Sequence, residues 1–401
     1  MSFALNLAEK NLLPDWLIRI GIRKLLKDRI FEICSDSYEN QQKNKIDFIH
    51  NMNRSPIAVD TNLANEQHYE VPSEFYDYAL GKNKKYSSCY WNNKTETLDD
   101  AEQLALNKTC EHAELKNGHS ILELGCGWGS LTLWMAKKYP KSKITAVSNS
   151  HSQRKYIENQ AKQRKLTNVK IITCNMTEFD TKSKFDRIVS VEMFEHMRNF
   201  AVLYQKISTW LKKDGKFFKH IFVHKSAPYL FKVKDKNDWM SQYFFSGGMM
   251  PSIDLPLYFQ SSLKIEQQWL WDGTHYAKTA REWLNNTDKN KAEIINIFKN
   301  CYGSDNAQLW LQRWRIFFMA CEELWNYDQG QEWMVAVDVR SRVEVVGSGV
   351  GATVVFAGAV FGVRRGIEVV CSLIRATEVD AEGILVTCVG SFIVVVGRGI
   401  H

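Results

Sequence analysis

Three side chains that could move a proton lie together at Glu192, Glu195 and His196, in the stretch V-E-M-F-E-H-M. Their spacing, i, i+3 and i+4, predicts that one helical turn projects all three to the same side. Two neighbouring carboxylates raise the pKa of at least one of them, and an adjacent imidazole can share the proton. These residues are therefore the candidate catalytic group, able to accept a proton from a substrate near neutral pH.

The residues alone leave other interpretations of this stretch open. An acid at the start of a helix beside a surface histidine would have the same spacing. A metal site is disfavoured, because no further cluster of histidine or cysteine supplies the remaining ligands. We therefore predict no metal.

A glycine-rich turn between a strand and a helix is the second candidate site. The predicted strand Ser120–Leu124 leads into Gly125, Gly127 and Gly129. Such a turn lets a ligand approach the backbone closely, and the next helix offers unpaired N–H groups at its N-terminus. Glu123, at the tip of the strand, can accept hydrogen bonds from a ligand. Taken alone, the turn fits NAD, FAD, S-adenosylmethionine (SAM) or no ligand at all.

Alternating strands and helices must position both sites. Strands are predicted at 120–124, 143–148, 169–174, 185–191 and 215–223, and the helices between them at 131–139, about 152–165 and 199–212. This alternation predicts an α/β fold with a parallel sheet and helices on both faces. The ligand crevice then lies at the carboxyl ends of the strands, where Glu192 and the glycine turn both fall.

Four segments follow from this pattern. Residues 1–95 are predicted to be a helical N-terminal cap, 96–225 a Rossmann-like core, and 226–335 an aromatic-rich helical lid with the final core elements. Residues 336–401 contain no Lys, Asn, Gln, Pro, Tyr or Trp. We interpret them as an atypical tail, translated from a wrong reading frame or a retained intron, rather than a functional domain. A last sheet strand would have to continue into this tail, where Asp338 fits poorly on a strand buried on both faces.

Composition indicates a globular protein of a reducing compartment. The chain has 401 residues, of which 45% are hydrophobic and 24% charged. Its net charge of +7 is distributed in short basic clusters among acids, which does not favour binding to nucleic acid. Nine cysteines without a C-x-x-C pair argue against a disulfide framework. We expect a cytoplasmic protein.

The first thirty residues lack the apolar block of a secretory signal. Their apolar residues predict an amphipathic helix with charges on the opposite side: Leu13, Trp16, Leu17, Ile20, Leu25 and Leu26. Packing of this helix on the body of the protein is favoured over a role at a membrane surface, and no stable membrane insertion is expected.

Several motifs occur together and in order: N-L-A-N-E-Q-H-Y-E-V-P (62–72), K-Y-S-S-C-Y-W (85–91), G-C-G-W-G (125–129), V-S-N-S-x-x-Q (147–153), D-R-I-V-S-V-E-M-F-E-H-M (186–197) and D-W-M-x-x-Y-F-F-x-G-G-x-M-P (238–251). In combination they resemble the SAM-dependent cyclopropane-fatty-acyl-phospholipid synthase family, and within it the coclaurine N-methyltransferase-like group of plant alkaloid enzymes. The resemblance covers roughly residues 15–335 and implies a Rossmann-like class I SAM-dependent methyltransferase with SAM as its cofactor.

The resemblance also implies roles for individual residues. The SAM pocket would be formed by Tyr86, Ser87, Glu123, Gly125, Cys126, Gly127, Asn149, Ser150, His151, Ser152, Gln153, Asn175 and Met176. The substrate pocket would be formed by Tyr69, His220, Trp314 and Phe317. The catalytic residues would be Glu192, Glu195 and His196.

Two positions favour an amine over a lipid as the substrate. Cyclopropane synthases of the family resemble one another in a cysteine that helps to hold bicarbonate, where this chain has Ser88, and in a small residue where it has Glu192. A carboxylate at that position suits an amine. The resemblance therefore implies methyl transfer to the nitrogen of a small-molecule amine, and allows a homo-oligomer. Synthase-like modification of unsaturated lipid chains and non-catalytic SAM binding are the alternatives.

Overall fold

The structure is a computed structural model and describes residues 3–34, 37–59, 71–231, 239–245, 247–343, 385–389 and 392–396. The chain forms two compact units, Met1–Val343 and Glu344–His401. All candidate site residues belong to the first unit, although Tyr69 lies outside the described residues.

The described part of residues 3–79 is mainly helical, as predicted. Its helices are α1 (Phe3–Glu9), α2 (Asp15–Cys34), α3 (Tyr38–Arg54) and α4 (Ser73–Ala79). The start of α3 shows how the sequence sets these boundaries, because the Ser37 hydroxyl accepts a hydrogen bond from the Asn40 N–H. Among the described residues, no helix is long and apolar enough to cross a membrane.

Helix α2 packs on the body of the protein, as predicted, with Leu26 and the preceding Leu13 against the core, but most of the predicted apolar side is exposed. Trp16, Ile20 and Leu25 are 63%, 51% and 67% exposed. Ile18 is buried instead. Apolar residues occur around most of this helix, so their spacing does not by itself distinguish the packed side from the exposed one.

A seven-stranded sheet forms the centre of the first unit. Its parallel part has the order β3-β2-β1-β4-β5 and consists of β1 (Ser120–Leu124), β2 (Lys143–Ser148), β3 (Val169–Thr173), β4 (Phe185–Val191) and β5 (Leu211–His224). The helices before and between these strands are α5 (Leu98–His112), α6 (Ser130–Lys138), α7 (His151–Gln163) and α8 (Phe200–Trp210). The predicted alternation and α/β fold are confirmed. Strand β5 begins earlier than predicted because Leu211 already pairs with Phe185, ahead of a shift in register.

Two antiparallel strands extend the sheet beyond β5. Strand β9 (Trp333–Arg342) lies between β5 and the edge strand β8 (Leu263–Trp271). The sequence analysis does not predict β8, which falls within the segment assigned to an aromatic lid. Two short strands, β6 (Tyr229–Leu230) and β7 (Met249–Met250), pair with each other outside this sheet.

Strand β9 forms despite the charged residue at its centre. Asp338 lies directly opposite Lys219 on β5. Its carboxylate is 3.0 Å from the Lys219 Nζ and 2.9 Å from the Arg340 Nε, and all three side chains are fully buried. The expectation that Asp338 fits poorly is therefore wrong, because two buried cations compensate its charge. The change of composition at residue 336 falls inside β9.

Helices supply the remaining core of the first unit. The short α9 (Trp239–Tyr243) precedes β7, and α10 (Gly273–Lys289), α11 (Lys291–Tyr302) and α12 (Ser304–Trp325) separate β8 from β9. Single 3₁₀ turns occur at Phe194–His196, Leu255–Tyr258 and Tyr327–Gly330. In the second unit, the described residues are β10 (Leu385–Val389) and β11 (Phe392–Val396), which pair antiparallel.

Candidate active site

A cavity of about 310 Å³ lies where the parallel strands end. Its lining includes residues that follow β1, β2, β3 and β4: Gly125, Asn149, Asn175 and Glu192. The strand order reverses between β1 and β4, which is where an open α/β sheet binds its ligand. The predicted crevice is therefore present.

The glycine turn brings bare backbone to this cavity. Gly125 has a φ of +77°, and a Cβ built there would lie 2.7 Å from the Met193 Cγ. Gly127 has a φ of +50° with no atom within 4 Å of an added Cβ, and it lines the cavity. The first glycine is thus required by packing next to the β4 loop, and the second leaves room for a ligand to approach the backbone.

Glu123 is a buried carboxyl group in the wall of the same cavity. The Thr132 hydroxyl donates a 2.5 Å hydrogen bond to its Oε2. Burial raises the pKa of Glu123 to about 8, against the opposing effect of this hydrogen bond. A cationic ligand group would favour the ionised form. An acidic group beside an open glycine turn therefore fits the sulfonium and ammonium groups of SAM.

Most of the predicted cofactor residues line the cavity: Tyr86, Ser87, Glu123, Gly125, Cys126, Gly127, Asn149, Gln153, Asn175 and Met176. Ser150, His151 and Ser152 are not among its lining residues. The Ser150 hydroxyl instead caps α7 by accepting a hydrogen bond from the Gln153 N–H. His151 and Ser152 are exposed at the start of that helix. The structure therefore brings together ten of the thirteen predicted cofactor residues and excludes Ser150, His151 and Ser152 from the lining.

Replacing Glu123 with glutamine tests the cofactor side of the cavity. We expect the Kd for SAM to rise by about tenfold or more, because a hydrogen bond to a charged group is lost. Isothermal titration calorimetry measures this change. Glu158→Gln, an exposed position on α7, serves as the control and should leave the Kd unchanged. An unchanged Kd in Glu123→Gln would contradict the assignment.

Glu192 is held by donors from three separate parts of the chain. Its Oε1 accepts hydrogen bonds from the Ser88 N–H at 3.0 Å and from the His220 Nε2 at 3.2 Å. Its Oε2 accepts one from the Tyr276 hydroxyl at 2.8 Å. The Glu192 backbone has a φ of +47°, in the left-handed region that a non-glycine residue rarely adopts. Three donors and an unusual backbone conformation therefore fix one carboxylate in the cavity wall.

These donors favour the ionised form of Glu192. Burial acts to raise the pKa of this carboxyl, but the hydrogen bond from His220, the charge of Lys85 and the Ser88 N–H hold the pKa below its ordinary value. Lys85 is itself buried, and its Nζ donates to the Ser87 Oγ at 2.5 Å and to the Ser88 carbonyl at 2.6 Å. Lys85 therefore also fixes the loop that presents the Ser88 N–H.

The three residues of the predicted catalytic group do not project to one side. Glu195 is fully buried, does not line the cavity, and accepts the Phe222 N–H through its Oε1 at 2.9 Å. Burial and the charge of Glu192 raise the pKa of Glu195 well above its ordinary value. His196 lines the cavity with Glu192. The predicted single helical turn is replaced by a left-handed residue followed by a 3₁₀ turn.

His196 is a neutral base at physiological pH. Burial lowers the pKa of its imidazole to about 4, although the nearby charge of Glu192 acts in the opposite direction. Its ring is nearly parallel to that of Phe245, with centroids 6.0 Å apart. A neutral imidazole close to a fixed carboxylate can accept a proton, and the carboxylate stabilises the imidazolium that forms.

Aromatic and other apolar side chains make up much of the remaining lining: Phe222, Tyr229, Phe231, Met240, Phe245, Met250, Tyr276, Trp283, Phe317 and Trp325. Of the predicted substrate residues, Phe317 is in this set. Trp314 is buried behind it, with ring centroids 5.6 Å apart. His220 contacts Glu192 without lining the cavity, and Tyr69 lies outside the described residues.

Sequence analysis missed Tyr276, which both lines the cavity and holds Glu192. This tyrosine is on α10, far from the other site residues in sequence, and no local motif identifies it. The role of the Ser88 backbone N–H was also missed, since a main-chain donor leaves no mark in the sequence.

The chain is similar in sequence to N-methyltransferases and to a cyclopropane synthase. The sequence model of the family described as mycolic acid cyclopropane synthetase matches residues 59–333. (S)-Coclaurine N-methyltransferase of Thalictrum flavum subsp. glaucum is 38% identical over 82% of this chain and 92% of its own length. The cyclopropane-fatty-acyl-phospholipid synthase of Escherichia coli (strain K12) is 26% identical over 64% of this chain and 67% of its own.

A solved structure matches this chain over nearly the whole length of the solved protein. The crystal structure of coclaurine N-methyltransferase bound to N-methylheliamine and S-adenosylhomocysteine matches with a TM-score of 0.82 and 35% identity. The match covers 84% of this chain and 98% of that chain.

Proposed function

This chain belongs to the mycolic acid cyclopropane synthetase family, and we propose that it methylates the nitrogen of a bulky aromatic amine of the benzylisoquinoline type. It is a SAM-dependent N-methyltransferase, like the relatives with which it shares most of its length. The similarity to coclaurine N-methyltransferase and the aromatic lining of the cavity support this class of amine.

The Glu192 carboxylate carries the choice of an amine over a lipid. This carboxylate accepts hydrogen bonds from the Ser88 N–H, the His220 ring and the Tyr276 hydroxyl. In the cyclopropane synthases that the sequence resembles, a bound bicarbonate would need donors of this kind. We propose that the ionised Glu192 side chain takes the place of that bicarbonate here. A fixed anion in an aromatic cavity suits a substrate that carries a positive charge.

SAM, when bound, supplies an electrophilic methyl group on its sulfonium. The Gly125–Gly127 backbone, Glu123, Asn149 and Asn175 would hold it, since all line the cofactor side of the cavity. The chain's main task is then to align and desolvate the amine nitrogen against that methyl group.

The nitrogen must lose a proton before it can attack. A typical alkylamine is protonated at neutral pH, and its ammonium group would bind next to Glu192. His196 passes the proton on to water, because its imidazole is neutral and its pKa of about 4 makes the imidazolium release the proton again. Aromatic rings stabilise the nitrogen as it becomes cationic by about 0.5–2 kcal/mol per contact. Glu195 supports the turn from behind through the Phe222 N–H.

The pH dependence of kcat/KM for the amine should reflect the lowered pKa of His196. Because that pKa is about 4, the imidazole is neutral above it, and activity should be lost only as the pH falls towards 4. We therefore expect no inflection near the ordinary histidine pKa of about 6.5. Steady-state rates from pH 4.5 to 9 test this. An acid limb centred near 6.5 would contradict the assigned state of His196.

Steady-state assays test the proposed function directly. The full chain is incubated with SAM and a benzyl-tetrahydroisoquinoline, a simple alkylamine or vesicles of unsaturated phospholipid, and release of S-adenosylhomocysteine is measured. We expect turnover with the benzyl-tetrahydroisoquinoline and less with the simple amine. Turnover with the phospholipid alone would favour the synthase reaction and overturn the proposal.

A further inference from the structure

The N-terminal helix reaches a part of the cavity wall that is remote from it in sequence. Residues 239–245, here called the wall segment, place Met240 and Phe245 in the cavity lining. At its start, the indole N–H of Trp239 donates a 2.7 Å hydrogen bond to the Glu9 Oε1. Glu9 is the last residue of α1 and is 6% exposed.

The same carboxylate holds the far end of the wall segment through a second residue. The Arg313 Nε donates to the Glu9 Oε1 at 2.8 Å, and its Nη2 donates to the Tyr243 hydroxyl at 3.1 Å. The Arg313 guanidinium also lies over the Tyr243 ring, 4.0 Å from its centroid. One buried acid therefore links both ends of α9 to the long helix α12.

Ring packing transmits this placement to the cavity. Next to Tyr243 in the chain, Phe244 stacks on Phe317 with ring centroids 4.4 Å apart and an interplanar angle of 16°. Phe317 and Phe245 both line the cavity. A shift of the wall segment would therefore change the shape of the surface that faces an aromatic substrate.

We infer that Glu9 is a positioning residue for the substrate side of the cavity, acting through Trp239 and Arg313 to fix Met240 and Phe245. This inference rests on the proposed function for the identity of the substrate. The hydrogen bonds described for Glu9 go to Trp239 and Arg313, so its role concerns the fit of the amine. It sets how strongly a bulky amine is preferred over a small one.

Two variants of the full chain test this role by kinetics. Glu9→Gln removes the charge that pairs with Arg313, and Trp239→Phe removes the indole N–H but keeps a ring. Each should raise KM for a benzyl-tetrahydroisoquinoline by about three- to tenfold, with KM for SAM unchanged and kcat within about twofold. The preference over a simple alkylamine should fall by a similar factor. The double variant should be little worse than either single one, because both break the same link.

Arg19→Gln is the matched control. Arg19 also joins an N-terminal helix to α12, through hydrogen bonds of 2.8 Å to Glu322 and Glu323, and none of its described hydrogen bonds goes to the wall segment. It should leave KM for the amine unchanged. The inference would be overturned if Glu9→Gln left KM for the amine unchanged. It would also be overturned if Glu9→Gln raised KM for the amine and KM for SAM equally and Arg19→Gln lost as much Tm as Glu9→Gln.

Hydrogen exchange gives a readout that needs no substrate. The N–H groups of Phe244 and Phe245 both donate to the Met240 carbonyl, at 2.9 and 3.0 Å. Their exchange should accelerate in Glu9→Gln and stay unchanged in Arg19→Gln. If no amine is methylated by the unaltered chain, the proposed function fails, while the exchange rates still decide whether Glu9 fixes the wall segment. Equal exchange in all three proteins would overturn that role.

Discussion

Replacing Glu192 with glutamine is expected to lower kcat/KM for the amine by about 10²–10³-fold, while Kd for SAM changes by less than about threefold. Glutamine has nearly the same shape but carries no charge, so it neither pairs with an ammonium group nor stabilises a protonated His196. Its amide nitrogen would also face the Ser88 N–H, the His220 ring or the Tyr276 hydroxyl, all of which donate to the carboxylate. Steady-state kinetics with the amine and calorimetry with SAM separate the two effects.

Another carboxylate that follows a strand of the sheet provides the control for this change. Glu178 follows β3, as Glu192 follows β4, but its side chain is exposed. Glu178→Gln should leave both quantities within about twofold of their original values. If Glu192→Gln weakens SAM binding as much as it lowers kcat/KM, the carboxylate belongs to the cofactor site, and its assigned role towards the amine is wrong.

Replacing Asp338 with asparagine should lower the free energy of unfolding by about 3–5 kcal/mol, because it leaves two buried cations without a counter-charge. Arg340 would keep hydrogen bonds to the carbonyls of Phe259, Leu263 and Pro256. The oxygen atoms described within reach of the Lys219 Nζ belong to Asp338 and Tyr204. Without the Asp338 charge, Lys219 would keep the hydrogen bond to the Tyr204 hydroxyl, at 2.9 Å. The midpoint of urea unfolding, monitored by tryptophan fluorescence, measures the loss.

Asp214→Asn is the control for this variant, since Asp214 is exposed on the same strand as Lys219. It should change the free energy of unfolding by less than about 0.5 kcal/mol. A similarly small change in Asp338→Asn would mean that the buried cluster does not stabilise the sheet.

The stabilising effect of Asp338 should also depend on pH. Burial acts to raise the pKa of its carboxyl, but the charges of Lys219 and Arg340 hold that pKa below its ordinary value. Because the pKa is lower in the folded protein, the stabilisation is present at neutral pH and is lost as the pH falls through the lowered value.

The parallel sheet could be predicted because each of its strands is a short apolar run that ends in a turn or a polar residue. The order of these runs also placed the cavity, since parallel strands must end at one edge. The glycine turn and Glu192 were found in this way. What they have in common is that the evidence for each lies within about ten consecutive residues of the chain.

The residues that sequence analysis missed or misjudged depend on distant partners. Asp338 looked incompatible with a buried strand because its counter-charge, Lys219, lies on another strand, and register decides that they meet. Tyr276 meets Glu192 only once α10 packs against the sheet. Strand β8 was missed because its burial is irregular along an edge, so neither an alternating nor a continuous apolar pattern appears.

Trp314 shows the same limit for aromatic residues. The resemblance predicts that Trp314 lines the substrate pocket, but its side chain does not line the cavity. Its ring instead packs in the core against Phe75, Phe244 and Phe317. Phe317, three positions away on the same helix, faces the cavity instead. The rotation of a helix whose apolar residues surround it is set by the neighbouring elements.

Methyl transfer from SAM that carries a trideuterated methyl group tests the central claim most directly. The full chain is given a mixture of tetrahydroisoquinolines, simpler amines and unsaturated phospholipids, and the products are identified by mass spectrometry. N-methylation predicts an amine that has gained all three deuteriums, since no bond of the methyl group is broken during transfer. A lipid that has gained one carbon with only two deuteriums would show ring closure with loss of a proton, and would contradict the assignment of this chain as an amine N-methyltransferase.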